Sequence, residues 1–250
     1  MILLVLGIDG LDYRLVKQFT PQLCQKVCTS YYIPDDYCHP VLKIPISVTV
    51  WASIITGLKP SEHGLTPDLI ANNPFKQKEL KLSPSVKTIF DIVQPSLALF
   101  IPSYNPHSEY WSDKYIQLIA KISEDPSAKI EYLREHYKLF AKQKEILLKQ
   151  LYSPNARKYK LIFIHFNLID ALCHIFNPFS TTVYYAYKSI ETLYTLVKPF
   201  TDKILIVSDH GFEDINLHSR YGFISYSKEI EINVKEPKDI FYLILKLVES

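Results

Sequence analysis

Ile204-Leu205-Ile206-Val207-Ser208-Asp209-His210-Gly211 is the most informative stretch of this 250-residue chain. Four consecutive apolar residues, three of them β-branched, read as a strand buried on both faces, the habit of a parallel sheet rather than of a half-exposed antiparallel one. The run then stops on two ionisable side chains and a glycine. Adjacent Asp and His at a buried strand end are costly unless paired or coordinated.

Three further runs share the pattern: Ile2–Ile8, Leu97–Ile101 and Leu161–Phe166. Helical periodicity separates them. Val183, Tyr187, Ile190, Tyr194 and Val197 recur at steps of three and four, predicting an amphipathic helix over 180–198 that Pro199 stops. Asp125-Pro126 is a helix start. From it Ile130, Leu133, Tyr137, Phe140, Leu147 and Leu151 mark one stripe for burial, with Lys129, Arg134, Lys138, Lys142 and Lys149 on the solvated face. Strand and helix in alternation predict an α/β fold: a three-layer sandwich with a mostly parallel central sheet and helices on both faces. The region 66–156 differs in texture, opening with a loop punctuated by Pro67, Pro74 and Pro84. It is expected to be a helical cap or insertion within a single domain spanning 1–250.

In open α/β sheets, ligands bind beyond the carboxyl ends of the strands. Ile2–Ile8 runs into Asp9, and Leu161–Phe166 into Asn167-Leu168-Ile169-Asp170, with His174 one helical turn later. The run at 204–207 leads to Asp209, His210 and, eight residues on, His218. Each has a plain reading alone: Asp9 as a turn residue before Gly10, Asp170 and His174 as an i, i+4 pair. Together, three Asp and three His on one sheet edge form a ligand set for zinc, or alternatively manganese. His165, inside a strand, reads as a hydrogen-bonded core histidine; His39, His107 and His136 have no supporting context. Ser47 opens a short apolar helix that ends at Gly57, and amides at such a terminus favour an anion, although a serine there can also be a plain N-cap.

Composition excludes several classes. A formal net charge of +2 with scattered basic residues gives no footprint for a nucleic-acid polymer or a membrane surface. No run reaches membrane-spanning length, and the opening apolar run is too short for a signal peptide, so a cytoplasmic location is expected. Cys24, Cys28, Cys38 and His39 match no common zinc-finger spacing; buried small residues or a disulfide are the favoured readings.

Taken in order, Leu6-Gly7-Ile8-Asp9-Gly10, the block Ser47…Trp51…Thr56-Gly57…Pro60…His63-Gly64, Asp170-x-x-x-His174, Ser208-Asp209-His210-Gly211 and His218 resemble the alkaline-phosphatase superfamily, most closely its type I phosphodiesterase/nucleotide pyrophosphatase branch. The resemblance implies a nucleophile at Ser47, nine residues before Thr56, with Thr49, Ser53 and Thr56 structural. It implies one divalent metal held by Asp9, Asp209, His210 and the Ser47 oxygen, and a second by Asp170, His174 and His218. The branch's phosphate-contacting asparagine falls ungapped on Asp68; Asn72, a small loop shift away, is the preferred candidate for substrate binding. A sulfatase would need Cys/Ser-x-Pro-x-Arg, and Ser47-Val48-Thr49-Val50-Trp51 lacks both the proline and the arginine. Phosphoglycerate mutases of the superfamily carry a large arginine-rich domain for which the chain has no room.

The implied activity is hydrolysis of phosphodiesters through a phosphoseryl intermediate, on a small-molecule phosphate ester. Phosphomonoesterase or phosphotransferase chemistry, and a non-catalytic metal-binding protein, are the alternatives. Arginine occurs only at Arg14, Arg134, Arg157 and Arg220, so a doubly charged monoester would find few extra positive donors. Tyr104, Tyr110 and Trp111 are candidates to support a second ester arm.

Overall fold

The computed structural model describes residues 2–73, 76, 79–107, 109 and 112–250. Its strands are β1 (Leu3–Ile8), β2 (Val27–Tyr32), β3 (Ser96–Leu99), β4 (Leu161–Phe166), β5 (Ile204–Ser208), β6 (Gly211–Asp214), β7 (Leu217–Ser219) and β8 (Tyr221–Tyr226). The α-helices are α1 (Tyr13–Phe19), α2 (Ser47–Thr56), α3 (Pro60–His63), α4 (Pro67–Ala71), α5 (Ile89–Ile92), α6 (Asp113–Lys121), α7 (Ser127–Tyr152), α8 (Leu168–Cys173), α9 (Thr181–Val197) and α10 (Asp239–Glu249).

The six-stranded sheet runs β2-β8-β5-β1-β4-β3. Its centre, β5-β1-β4-β3, is parallel and consists of the four apolar runs. β1 and β4 are buried along their whole length. Alternate side chains feed two separate cores, as the pleat requires. Leu4, Leu6, Ile162, Ile164 and Ile206 pack with α1, α7, α8 and α9. Leu3, Val5, Phe163, Leu205 and Val207 pack with α2, α5 and α10 on the other face. Helices therefore cover both faces, giving three layers.

Antiparallel β8 and β2 extend the sheet beyond β5. Neither is an apolar run: β2 reads Val-Cys-Thr-Ser-Tyr-Tyr and is only partly covered. β3 is shorter than the run at 97–101, because Phe100 turns to φ 64° and ends it. The region 66–156 supplies β3 to the sheet edge and α6 and α7 to one face.

α9 starts on Ser180, whose hydroxyl accepts from the Val183 amide, one residue inside the expected start. At the head of α7, Asp125 accepts from the Ser127 amide at 2.8 Å. The buried stripe of α7 departs from the expected one in its first half. Ala128, Tyr132, His136, Leu139 and Gln143 are covered, whereas Ile130 is 61 % exposed. His136 stacks on Tyr115 of α6, Tyr132 meets it edge-on, and these contacts set the rotation of the helix. Cys24 and Cys28 are joined as a disulfide, and Cys38 is buried with its thiol directed at the Pro34 carbonyl. Among the described residues, no helix is long and apolar enough to cross a membrane.

Candidate active site

Asp9 leaves β1 at the carboxyl edge of the sheet and is 1 % exposed. Its Oδ2 accepts from the indole of Trp51 at 3.4 Å and lies 3.0 Å from His165 Nε2. Oδ1 is thereby directed to Ser47, whose hydroxyl approaches it at 3.3 Å. Asp209 follows β5, fully buried, and receives the Gly10 amide on Oδ1 at 3.4 Å. Asp170 lies in the first turn of α8, where its amide donates to the Asp9 carbonyl at 3.2 Å. His174 stands one turn later on the same face. The β6–β7 ribbon folds back over this edge and delivers His218 opposite Phe212.

Three imidazoles converge, each anchored through Nδ1. His174 Nδ1 is 2.5 Å from Asn216 Oδ1, His210 Nδ1 is 3.0 Å from the Gly211 carbonyl, and His218 Nδ1 is 2.9 Å from the Pro45 carbonyl. A neutral ring that donates Nδ1–H to a carbonyl oxygen presents an unprotonated Nε2, the form that binds a metal. All three Nε2 atoms face the carboxylates. His174 Nε2 lies 3.3 Å from Asp170 Oδ1 and 3.4 Å from His218 Nε2; His218 Nε2 lies 3.6 Å from Asp170 Oδ1. In the neighbouring group, His210 Nε2 lies 3.4 Å from Asp9 Oδ1, 3.4 Å from Asp209 Oδ2 and 3.0 Å from Ser47 Oγ. Ligands at zinc's usual 2.0–2.2 Å on tetrahedral corners stand roughly 3.3–3.6 Å apart. The donor atoms of both groups therefore have the spacing that one cation each would demand. His210 links the groups, 3.7 Å from Asp170 Oδ1 and with its ring stacked on His218 at 3.8 Å.

The electrostatics agree. Among the described residues no Lys or Arg pairs with Asp9, Asp170 or Asp209, and Asp170 Oδ1 and Asp209 Oδ2 have no hydrogen-bond partner. Burial and then the neighbouring Asp170 charge push the Asp9 carboxyl well above the ordinary range; burial and then Asp9 do the same to Asp209. Burial would raise Asp170 as well, but His174, His210 and His218 around it bring it below the usual range. His174 is pulled up to about 9 by Asp170 and Asn216 against its burial, whereas burial and then the two neighbouring histidines drive His218 well below its ordinary value. Buried carboxylates that repel one another need positive charge, and the nitrogen–oxygen donor set fits divalent cations.

Ser47 begins α2 behind Ile46, which brings no side-chain cap to the first turn. The first-turn amides are thus left for an anion beside Ser47. Thr49 and Ser53 face inward; Ser53 Oγ is 2.9 Å from His63 Nε2.

Of the residues singled out in the sequence, Asp9, Ser47, Asp170, His174, Asp209, His210 and His218 meet in this one cluster. Asn72 does not join it: it caps α4, exposed, and its amide donates to the Asp68 carbonyl at 3.1 Å. Arg14 is engaged by Asp12 and Glu213, and Arg220 by Asp35 and the Ile33 carbonyl. Arg134 and Arg157 are exposed. Tyr104 packs on Phe90 at 5.0 Å, and Tyr110 and Trp111 lie outside the described residues. His165 is the hydrogen-bonded core histidine that its strand position predicts, with Asp9 as its partner; sequence reading missed Asn216, which orients His174. An asparagine in a turn carries no local signal for a partner 42 residues away.

No curated protein matches the chain. Among solved structures, murine ectonucleotide pyrophosphatase/phosphodiesterase 5 aligns with a TM-score of 0.51 and 14 % identity, over 84 % of this chain and 57 % of that one. An inactive variant of the same murine protein, in complex with AMP, aligns with a TM-score of 0.51 and 13 % identity over the same shares. This chain thus spans little more than half the length of those structures, and the likeness is one of fold. A sequence model of the type I phosphodiesterase/nucleotide pyrophosphatase family matches residues 3–246, nearly the whole chain, and the chain belongs to that family.

Proposed function

We propose that the protein hydrolyses phosphate diesters through a covalent phosphoseryl intermediate on Ser47, with two divalent cations, zinc or manganese, as cofactors. The observation that carries this reading is a pair of cation-spaced donor groups, linked through His210, one of which includes the Ser47 hydroxyl at an uncapped helix start. Asp9, Asp209, His210 and Ser47 would hold one cation and Asp170, His174 and His218 the other. When bound, the cations supply Lewis-acid charge for the phosphoryl oxygens and lower the pKa of the attacking groups.

Ser47 Oγ attacks phosphorus in line, its P–O bond forming as the bond to one ester oxygen breaks. The serine proton passes through solvent to the departing alcohol. The first-turn amides of α2 face the charge that develops on the phosphoryl group. Water then cleaves the phosphoseryl ester, restoring Ser47 and releasing the monoester. His165 and Trp51 hold Asp9, and Asn216 holds His174, so the site is ordered before substrate arrives.

A diester is favoured over a monoester because the four arginines are engaged elsewhere or exposed, leaving no guanidinium for a second negative charge. The test is a paired assay of bis(4-nitrophenyl) phosphate and 4-nitrophenyl phosphate, after chelation and after adding zinc or manganese. We expect chelated protein to be silent, either metal to restore turnover, and kcat/KM to favour the diester. Full activity in metal-stripped protein would overturn the two-metal reading, and a preference for the monoester would make the protein a phosphatase.

A further inference from the structure

A cavity of about 420 Å³ lies beside Asp170 and His174, which help to line it. Its other walls include Tyr115, Ile116 and Ile119 of α6, Tyr132 and His136 of α7, and Ile175 just past α8. It therefore opens directly onto one of the two donor groups, the one away from Ser47. The size falls within the usual range for small-molecule pockets, roughly 300–1,000 Å³.

Most of the wall is apolar or aromatic; besides Asp170 and His174 of the donor group, its polar residues are Asn167, Asn216, His136 and Glu109. Among the described residues no Lys or Arg lines the cavity, whereas Glu109 does. His136 adds no positive charge: burial pushes its ring down to about 3, so it is neutral near pH 7, stacked 4.4 Å from Tyr115 and tilted 4.3 Å from Tyr132. Away from His174 at the donor group, an anionic group on these walls would meet the Glu109 carboxylate and lose its hydration against mostly apolar surface.

Direction follows from in-line displacement, and here the argument rests on the proposed hydrolysis. Ser47 Oγ approaches phosphorus from the Asp9–Asp209–His210 side, so the departing oxygen leaves opposite it, toward Asp170, His174 and His218. We infer that the cavity under α6 and α7 receives the departing arm of the diester and selects an uncharged, largely apolar alcohol over a phosphate or pyrophosphate leaving group.

Calorimetric titration of the metal-stripped full chain with 2-naphthol and with 2-naphthoate, the same ring system with and without a negative charge, tests the cavity without turnover. Ile116→Trp and Ile119→Trp fill it from one wall, and because Ile119 is 38 % exposed, the second variant folds even if the first does not. We expect naphthol to bind at least tenfold more tightly than naphthoate, and either Trp variant to weaken naphthol at least tenfold. With metal restored, kcat/KM for methyl 2-naphthyl phosphate should fall in the same variants by a similar factor. Naphthol binding or naphthyl ester turnover that ignores both Trp substitutions, or tighter binding of naphthoate, would overturn the assignment. Trp-sensitive naphthol binding with no turnover under any metal would instead overturn the hydrolysis on which the departing arm depends.

Discussion

Gly10 is where the fold and the donor cluster press hardest on each other, and Gly10→Ala tests both together. Its φ is +74°, and a Cβ there would stand 2.9 Å from Asp170 Cα, 3.0 Å from Asp170 N and 2.8 Å from Phe212 Cε2. Phe212 can rotate, but the Asp170 backbone is tied to the Asp9 carbonyl at 3.2 Å and cannot swing aside as a side chain would. The left-handed conformation costs a non-glycine residue about 1–2 kcal/mol. Overpacking against the backbone adds about 1–3 kcal/mol, for a total of about 2–5 kcal/mol. Gly64 is the control: its φ is +84°, yet nothing lies within 4 Å of its Cβ position, so Gly64→Ala meets only the conformational cost. At this chain length 1 kcal/mol moves Tm by about 2–4 °C. Gly10→Ala should therefore lower Tm by roughly 4–20 °C, and Gly64→Ala by roughly 2–8 °C. Only the first should also weaken zinc or manganese binding, because the new methyl pushes Asp170 away from Asp9. Thermal unfolding of both metal-stripped variants, with calorimetric metal titration, reads both effects. If Gly10→Ala unfolds at the temperature of Gly64→Ala and binds metal like the unaltered chain, the tight Asp9–Asp170 junction is wrong.

Ser47→Ala should lose roughly three orders of magnitude or more in kcat with an unchanged Tm. Thr49→Val should keep activity and stability, since the buried Thr49 hydroxyl has no hydrogen-bond partner among the described residues; a dead Thr49→Val enzyme would move the nucleophile assignment. His165→Phe should weaken metal binding about 10–100-fold in calorimetric titration by freeing Asp9, and unaltered affinity would make His165 a packing residue only. His136, whose pKa falls from 6.5 to about 3 on burial, takes up a proton more readily when unfolded, so it costs stability as pH drops from about 6.5 toward 3. His136→Phe should therefore lose roughly 3 kcal/mol less than the unaltered chain between pH 7 and pH 4 in urea unfolding, and parallel losses would refute the buried neutral ring.

Strand and helix were legible wherever burial alone set the pattern. The runs at 2–8, 161–166 and 204–207 are covered on both faces, so nearly every position is apolar, His165 excepted, and the parallel centre of the sheet can be read directly. The same logic located the donors, because Asp9, Asp170 and Asp209 interrupt or closely follow apolar runs that have no local use for a charge. It failed for β2 and β8, whose Thr, Ser, Tyr and Gly residues are held in place by neighbours rather than by apolar pattern. It also misjudged the first half of α7, where the aromatic stack of Tyr115, Tyr132 and His136 outweighs the hydrophobicity of Ile130. Only the tertiary structure decided how the donors are aimed. Asn216 on His174, Pro45 on His218 and His165 on Asp9 are contacts across 42, 173 and 156 residues. A hydrogen bond depends on angles and distances that packing creates between distant segments, whereas the residues of one segment report only the faces that the segment itself must bury.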